Sequence, residues 1–100
     1  MIRHVALFQW NEGTTEEDIA AITAGLATLP AAIGVLVTYS FGPDVAFSEG
    51  NFDYAVVADF NSIEDYPIYV QHPAHADVAA RLIRPHVAAR SAAQFELRPA

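Results

Sequence analysis

Hydrophobic and polar residues alternate along the first ten positions of the chain. Residues 2–10 read IRHVALFQW, and one side of this segment carries Ile2, His4, Ala6, Phe8 and Trp10. Alternation with a period of two is typical of a β-strand that buries one face. We predict this strand over residues 2–10 and three further strands over residues 33–42, 52–60 and 91–97.

A helix is predicted between the first two strands. Thr14 or Thr15 can cap its start, because Glu17 or Asp18 follows three residues later in the spacing of a capping box. The acidic residues of this first turn also suit the positive end of the helix dipole. Apolar residues then recur at helical spacing until Pro30, where the pattern stops.

The segment between the third and fourth strands is predicted to be helical but interrupted. Pro67 is expected to kink or split it, and Pro85 disturbs it again near its end. A new helix is expected to open at Pro73, because proline suits the first helical position. The resulting order of elements is β-α-β-β-α-β.

This order predicts an α+β fold, a ferredoxin-like sandwich in which a four-stranded antiparallel sheet carries helices on one face. One hundred residues suit a single domain, which we place at residues 1–100. The sheet face expected to meet the helices carries Ala6, Phe8, Trp10, Val56, Ala58 and Phe60. Two helices cannot cover both faces of the sheet. We therefore expect a homodimer in which the open faces of two copies meet about a two-fold axis.

Composition adds to this picture. Apolar residues make up 53% of the chain and charged residues 17%, so a monomer this short has difficulty hiding its apolar surface, which again favours a homodimer. The net charge of −7 argues against binding to nucleic acid or to anionic membranes. No apolar run approaches the roughly 20 residues that span a bilayer. We expect a soluble, cytoplasmic protein.

The segment YVQHPAHADV, residues 69–78, holds the polar side chains that most suggest chemistry. His72 directly precedes Pro73, where its imidazole can cap the helix, and it is also a candidate for the wall of a pocket. His75 lies one turn further on, and its ring can turn toward the space between helices and sheet. With Tyr69 it either lines a pocket there or is a partly buried residue bonded to a backbone carbonyl, beside a core aromatic.

His4 is a second candidate, because it lies in mid-strand on the face assigned to the core. A histidine there is either a hydrogen-bonded interior residue or part of a cavity wall, and in both cases it needs a polar partner. Tyr54 lies on the same side of the third strand by parity and is a candidate for that partner. We expect His4, Tyr54 and Phe8 to line the pocket.

The histidines do not predict a metal site. His72 and His75 are three residues apart and Asp77 is close in sequence, but together with His86 their spacing matches no standard zinc pattern. The chain has no cysteine to supply a thiolate ligand. We expect neither a metal nor an organic cofactor.

Three segments together resemble the stress-responsive α/β-barrel family, often called Dabb: MIRHVALFQWNEGTTEEDI, GLATLPAAIGV and YVQHPAHADV. The similarity covers essentially the whole chain in the same order. It implies a dimeric α+β barrel, in which two ferredoxin-like units place their sheets face to face. A few members of this family act as polyketide cyclases without metal or organic cofactor, so the resemblance implies that such an activity is possible for this chain.

In those cyclising relatives the second histidine of the His-Pro-Ala-His block acts as the base, and a tyrosine upstream of it is its partner. The resemblance therefore implies these two roles for His75 and Tyr69. A neutral imidazole can remove a proton alpha to a carbonyl near neutral pH, and a buried phenol can donate to the enolate oxygen. Tyr54 departs from these relatives, which can carry a histidine at that place. Two hypotheses follow: a cofactor-independent lyase or cyclase acting on an aromatic or polyketide molecule, and a non-catalytic dimeric module that binds or protects.

Overall fold

A computed structural model describes residues 1–98 of the chain. The strands and helices are β1 Ile2–Trp10, α1 Glu16–Ala27, α2 Leu29–Ala32, β2 Thr38–Pro43, β3 Tyr54–Phe60, α3 Asp65–Gln71, α4 Pro73–Val78 and β4 Val87–Glu96. A π-helical segment, Ala79–Ile83, and a 3-10 turn, Arg84–His86, connect α4 to β4. Residues 99–100 of the predicted domain lie outside the described residues.

The four strands form one antiparallel sheet in the order β2-β3-β1-β4. The helices cover one face of it, which confirms the predicted ferredoxin-like sandwich. In β1 the even-numbered residues His4, Ala6 and Phe8 are buried, whereas Val5 and Leu7 between them are only half-buried. The alternation predicted from the sequence therefore separates a core face from an open face.

A capping box starts α1, with Thr15 rather than Thr14 as the capping residue. The Thr15 hydroxyl accepts a hydrogen bond from the Asp18 backbone N–H at 3.1 Å, and the Asp18 carboxylate accepts one from the Thr15 backbone N–H at 2.9 Å. These bonds satisfy two backbone donors that the first turn of a helix leaves free. The cap directs α1 across the sheet, where Ile22 and Leu26 enter the core.

The second strand is shorter than predicted, because it begins at Thr38 instead of residue 33. Pro30 occupies the first turn of α2, where a missing N–H costs nothing, so the chain remains helical through Ala32. Ile33 ends that helix as a buried core residue. The apolar run that follows looks like strand in the sequence, but it packs irregularly against the core before the ladder to β3 begins. The predicted start of the third strand at residue 52 is likewise two residues early.

The region from α3 to β4 is divided at Pro73 as predicted, but the expectation that Pro67 would kink or split it is wrong, and its last boundary also differs. Pro67 lies in the first turn of α3 and does not break it, whereas Pro73 opens α4. The fourth strand begins at Val87, four residues earlier than predicted. Its first half is rich in alanine and carries no strand signal of its own, but pairing with β1 extends the ladder to Trp10 and Val87.

No helix within residues 1–98 is long and apolar enough to cross a membrane. The cytoplasmic location expected from the sequence stays a prediction.

Candidate active site

A cavity of about 230 Å³ lies between the core face of the sheet and the helical layer. Its apolar wall is formed by Ala6, Phe8, Leu26, Val56, Ala79, Ile83 and Val87. Five polar side chains complete the wall: His4, Tyr69, His75, Arg84 and Arg90. A mostly apolar chamber with a few convergent polar groups has the general character of a small-molecule site.

His75 contributes a neutral imidazole in which one ring nitrogen is hydrogen-bonded and the other is not. Its Nδ1 lies 3.1 Å from the Val70 carbonyl oxygen. Because a carbonyl can only accept, Nδ1 carries the proton in this bond and Nε2 keeps its lone pair. Nε2 has no hydrogen-bond partner within residues 1–98. Burial lowers the pKa of His75, and the positive charges of Arg90 and Arg84 lower it further against the opposing effect of the Val70 carbonyl.

Tyr69 lies beside this imidazole and supplies a protonated phenol. The two ring centroids are 4.4 Å apart, and the Tyr69 side chain is almost fully buried. Burial raises the pKa of Tyr69 to about 12, although its hydrogen bond with Tyr39 works in the opposite direction. At neutral pH the phenol therefore keeps its proton and can act as a hydrogen-bond donor.

His4 projects from the middle of β1 and is held in the opposite tautomer. Its Nδ1 lies 2.7 Å from Nε2 of Gln94, the residue directly across the ladder on β4. An amide nitrogen only donates, so Nδ1 accepts and the proton of the ring is on Nε2. Burial, with smaller effects from Arg90 and His75, lowers the pKa of His4 to about 4. The cavity thus holds one imidazole with a free acceptor and one with a ring N–H.

His72 lies outside the cavity wall, which corrects the expectation that it lines the pocket. Its Nδ1 accepts a hydrogen bond of 3.0 Å from the Ala74 backbone N–H. The imidazole is therefore engaged at the start of α4, in the capping role that its position before Pro73 predicted. His72 and His75 have different tasks although they are only three residues apart.

Tyr54 is also outside the wall, and it is not the partner of His4. It faces the helices as parity predicted, but it pairs with Phe8 while His4 pairs with Ala58. Four residues of strand separate these two positions by about 13 Å. The Tyr54 hydroxyl instead lies 2.7 Å from the Thr23 hydroxyl of α1. The parity argument found the correct face but could not place the residue along it.

Comparison with known proteins fits this architecture. The family model described as "Stress responsive A/B Barrel Domain" matches residues 2–97. The chain belongs to this family. An Arabidopsis thaliana member, stress-response A/B barrel domain-containing protein HS1, is 29% identical over 80 residues, which are 78% of this chain and 73% of that protein.

Solved structures of similar fold include a dimeric ferredoxin-like protein from Thermobifida fusca. It is 43% identical to this A/B barrel chain with a TM-score of 0.89, and the match covers 96% of this chain and 90% of that one. A hydroxynitrile lyase from Passiflora edulis is 16% identical with a TM-score of 0.83, and the match covers 99% and 94% of the two chains. At that identity the likeness shows the fold alone.

Sequence reasoning missed several polar groups of this A/B barrel site. Arg90 and Gln94 are placed by the β1–β4 ladder, opposite Phe8 and His4, so both lie on the helix side of the sheet. Parity could have found Arg90 if the fourth strand had been predicted to begin at Val87. Arg84 lies in an irregular turn, where no sequence period applies.

The histidines considered for a metal site lie apart. His72 caps α4. The His86 ring instead lies 3.9 Å from the carboxylate of Asp18, which is in the first turn of α1. Within residues 1–98 no three side chains of the types His, Cys, Asp and Glu are grouped so that they could hold a metal ion.

Proposed function

We propose that this A/B barrel protein binds a small apolar or aromatic carbonyl compound in the cavity and removes a proton from the carbon alpha to the carbonyl, in a lyase- or cyclase-type reaction. One observation carries the proposal. His75 lines the cavity with its ring fixed through Nδ1 by the Val70 carbonyl, which leaves Nε2 uncommitted, and the ring is adjacent to the protonated phenol of Tyr69.

The proposed step uses both groups at once. The lone pair on His75 Nε2 takes the proton as the alpha C–H bond breaks, and the electron pair of that bond moves into the enolate. The Tyr69 hydroxyl donates a hydrogen bond to the enolate oxygen, where the negative charge develops. The imidazolium then returns the proton to the product. A lowered pKa keeps His75 in its basic form through neutral pH.

Two comparisons support this chemistry from outside the chain. Family membership makes the resemblance to cofactor-free cyclising relatives relevant to Tyr69 and His75. The Passiflora edulis protein is named as a hydroxynitrile lyase, so lyase activity occurs on this fold. The alternative is a non-catalytic dimeric module that binds or protects, and it predicts that His75 can be replaced without functional consequence.

Hydrogen–deuterium exchange on an aryl ketone tests the proposal without knowledge of the natural substrate. The protein is incubated with 2-tetralone in D2O near pH 7, and loss of the alpha-proton signal is followed by proton NMR. We expect exchange at least about tenfold above buffer, which falls to the buffer rate in His75→Ala. The matched control is His72→Ala, which removes an imidazole three residues away but outside the cavity, and it should retain exchange. Equal exchange in His75→Ala and the original protein contradicts the proposal.

We also propose that two copies pair through the open face of the sheet. Val5, Leu7, Ala55 and Val57 are only half-buried there, and Phe95 of β4 is 48% exposed. Arg3 and Asp59 on this face neutralise each other, because Arg3 donates two hydrogen bonds of 2.8 and 2.9 Å to the Asp59 carboxylate. A second copy could therefore cover this pair without leaving either charge unpartnered. The Thermobifida fusca relative is described as dimeric.

Light scattering coupled to size-exclusion chromatography tests the pairing. The protein should elute with twice its chain mass, and Val57→Glu, which places a charge at the centre of the open face, should elute as a monomer. Ala76→Glu adds the same charge on the exposed side of α4 and should remain dimeric. A dimer that survives Val57→Glu would show that the subunits meet elsewhere.

A further inference from the structure

Two arginines from different elements line the cavity. Arg84 lies in the turn after the π-helical segment, and Arg90 lies on β4 opposite Phe8, on the helix side of the sheet. Both residues are exposed and both line the chamber. The place where the cavity reaches the surface therefore carries two positive charges.

In the part of the chain that the structure describes, Arg84 and Arg90 lack the carboxylate partners that Arg3 and Arg81 have. Arg3 pairs with Asp59 and Arg81 pairs with Asp77. Within residues 1–98 no carboxylate lies within 4.0 Å of the guanidinium of Arg84 or Arg90, and no carboxylate belongs to the cavity wall. The chain has twelve carboxylates and only five basic residues, so neutralising partners are abundant. Two unpaired guanidiniums at one opening form a local positive region on an acidic protein, which attracts an anion.

The charges of these arginines also reach the interior of the cavity. Burial lowers the pKa of His4 and His75, and Arg90 adds to both effects, as Arg84 does for His75. Burial raises the pKa of Tyr69, and Arg90 opposes that rise. The guanidiniums and the inner polar groups therefore share one electrostatic environment. A ligand anchored at the opening would have its remaining atoms directed toward His75 and Tyr69.

The volume of the cavity limits the size of the apolar part of the ligand. An apolar protein cavity of about 150 Å³ is large enough to bind benzene. The cavity here, at about 230 Å³, therefore accommodates one substituted ring among Phe8, Leu26 and Val56. A guanidinium presents a planar fork of N–H donors that matches the two oxygens of a carboxylate.

We propose that Arg84 and Arg90 form an anion subsite at the mouth of the cavity, and that the ligand is an aromatic or other apolar molecule that carries a carboxylate. The guanidiniums hold the carboxylate while the ring occupies the apolar interior. This inference rests on the proposed function, because it names the class of molecule that the cavity takes. It assigns Arg84 and Arg90 to binding and leaves proton transfer to His75 and Tyr69.

The test compares two probes of nearly the same shape, benzoate and neutral benzamide, by NMR titration of the ¹⁵N-labelled protein. Benzoate should bind about tenfold more tightly than benzamide, since charge-assisted hydrogen bonds exceed neutral ones in strength. Arg84→Gln/Arg90→Gln should remove this preference, so that benzoate and benzamide bind with similar affinity. Arg81→Gln serves as the control, because Arg81 is an exposed arginine already paired with Asp77. It should keep the preference for benzoate.

Each outcome separates the subsite from the proposed function. Equal binding of benzoate and benzamide, or a preference that survives in the double variant, overturns the anion subsite but leaves a small-molecule cavity. Binding of neither probe overturns the subsite, whereas the proposed function is decided separately by the 2-tetralone exchange of the original protein and His75→Ala. Phenyl phosphate is titrated as a third probe. If it binds much more tightly than benzoate, the ligand class is a phosphate ester and the carboxylate assignment is wrong.

Discussion

The hydroxyl oxygens of Tyr39 and Tyr69 lie 2.7 Å apart, which joins β2 at the edge of the sheet to α3 above it. Tyr69 lines the cavity and Tyr39 does not. Burial raises the pKa of both phenols, so both are protonated at neutral pH and one donates to the other. Either hydroxyl can donate in this bond. Donation by Tyr39 leaves the Tyr69 proton free to point at a ligand.

Replacement of Tyr39 by phenylalanine should reveal this role. Tyr39→Phe removes the donor but keeps the ring contacts, so we expect the free energy of unfolding to fall by about 1 kcal/mol. The rate of 2-tetralone exchange should fall several-fold, because Tyr69 loses the bond that orients it. Urea unfolding and the NMR exchange assay measure the two effects. Tyr66→Phe is the control, since the Tyr66 hydroxyl has no hydrogen-bond partner within residues 1–98. Similar losses in both variants would contradict a positioning role for Tyr39.

The separate tasks of His72 and His75 lead to a second prediction. His72→Ala should lower the free energy of unfolding by about 1 kcal/mol, because the Ala74 backbone N–H loses its capping acceptor. His72→Asn should recover most of that loss, since asparagine is a good capping residue. Urea denaturation of the three proteins makes the comparison. If asparagine is no better than alanine, the imidazole of His72 stabilises the protein through something other than the cap.

Burial of neutral His4 predicts that stability depends on pH. The folded pKa of His4 is about 4, whereas an unfolded histidine titrates near 6.5. Between these values the unfolded state binds more protons, so stability is complete above pH 6.5 and is lost as the pH falls toward 4. The 2.5-unit difference corresponds to at most about 3 kcal/mol. The lowered pKa of His75 adds a loss of the same sign in the same window.

Urea unfolding at several pH values between 4 and 7.5 measures this dependence. His4→Gln should flatten the curve substantially, because a glutamine side chain does not titrate. An unaltered pH dependence in His4→Gln would show that another group is responsible. Protein concentration is held fixed, because dimer stability depends on it.

The fold could be predicted from the sequence because its main signals are periodic. Alternation in β1 correctly assigned His4, Ala6 and Phe8 to the core face, and Pro73 correctly marked the start of α4. The predicted boundaries of β2 and β4 were wrong where tertiary contacts override the local sequence preference. Residues 87–90 became strand because β1 offers a ladder, and residues 33–37 did not because α2 fixes the chain just before them.

The candidate site was harder to predict, because its five polar wall residues come from five different elements. Periodicity fixes the face on which Tyr54 lies, but only the register shows that it is far from His4 and close to Thr23. Gln94 and Arg90 depend on the pairing of β1 with a strand that follows about eighty residues later in the chain. Side chains in irregular turns, such as Arg84, have no pattern to reveal them. Local sequence thus identifies chemical types, and the long-range register decides which of them meet.

The ion pair of Arg3 and Asp59 on the open face provides a last prediction. The two residues are directly opposite in the ladder, and Thr38 donates a further hydrogen bond to the same carboxylate. The Asp59 side chain is 3% exposed while that of Arg3 is 38% exposed, so solvent weakens the pair from one side only. We expect Asp59→Asn to lower the free energy of unfolding by about 1–2 kcal/mol, since it leaves the Arg3 charge without a partner.

A double-mutant cycle with Arg3→Met isolates the interaction. Arg3→Met/Asp59→Asn should be more stable than Asp59→Asn alone, because it carries no unpaired charge on the surface where the second copy is proposed to pack. The pair also lowers the pKa of Asp59, so its contribution is present above the unfolded value of 3.8 and is lost as the pH falls through the lower folded value. Urea unfolding and light scattering of the four proteins measure stability and assembly together. Strictly additive effects would mean that Arg3 and Asp59 contribute separately, and that the open face does not depend on their pairing.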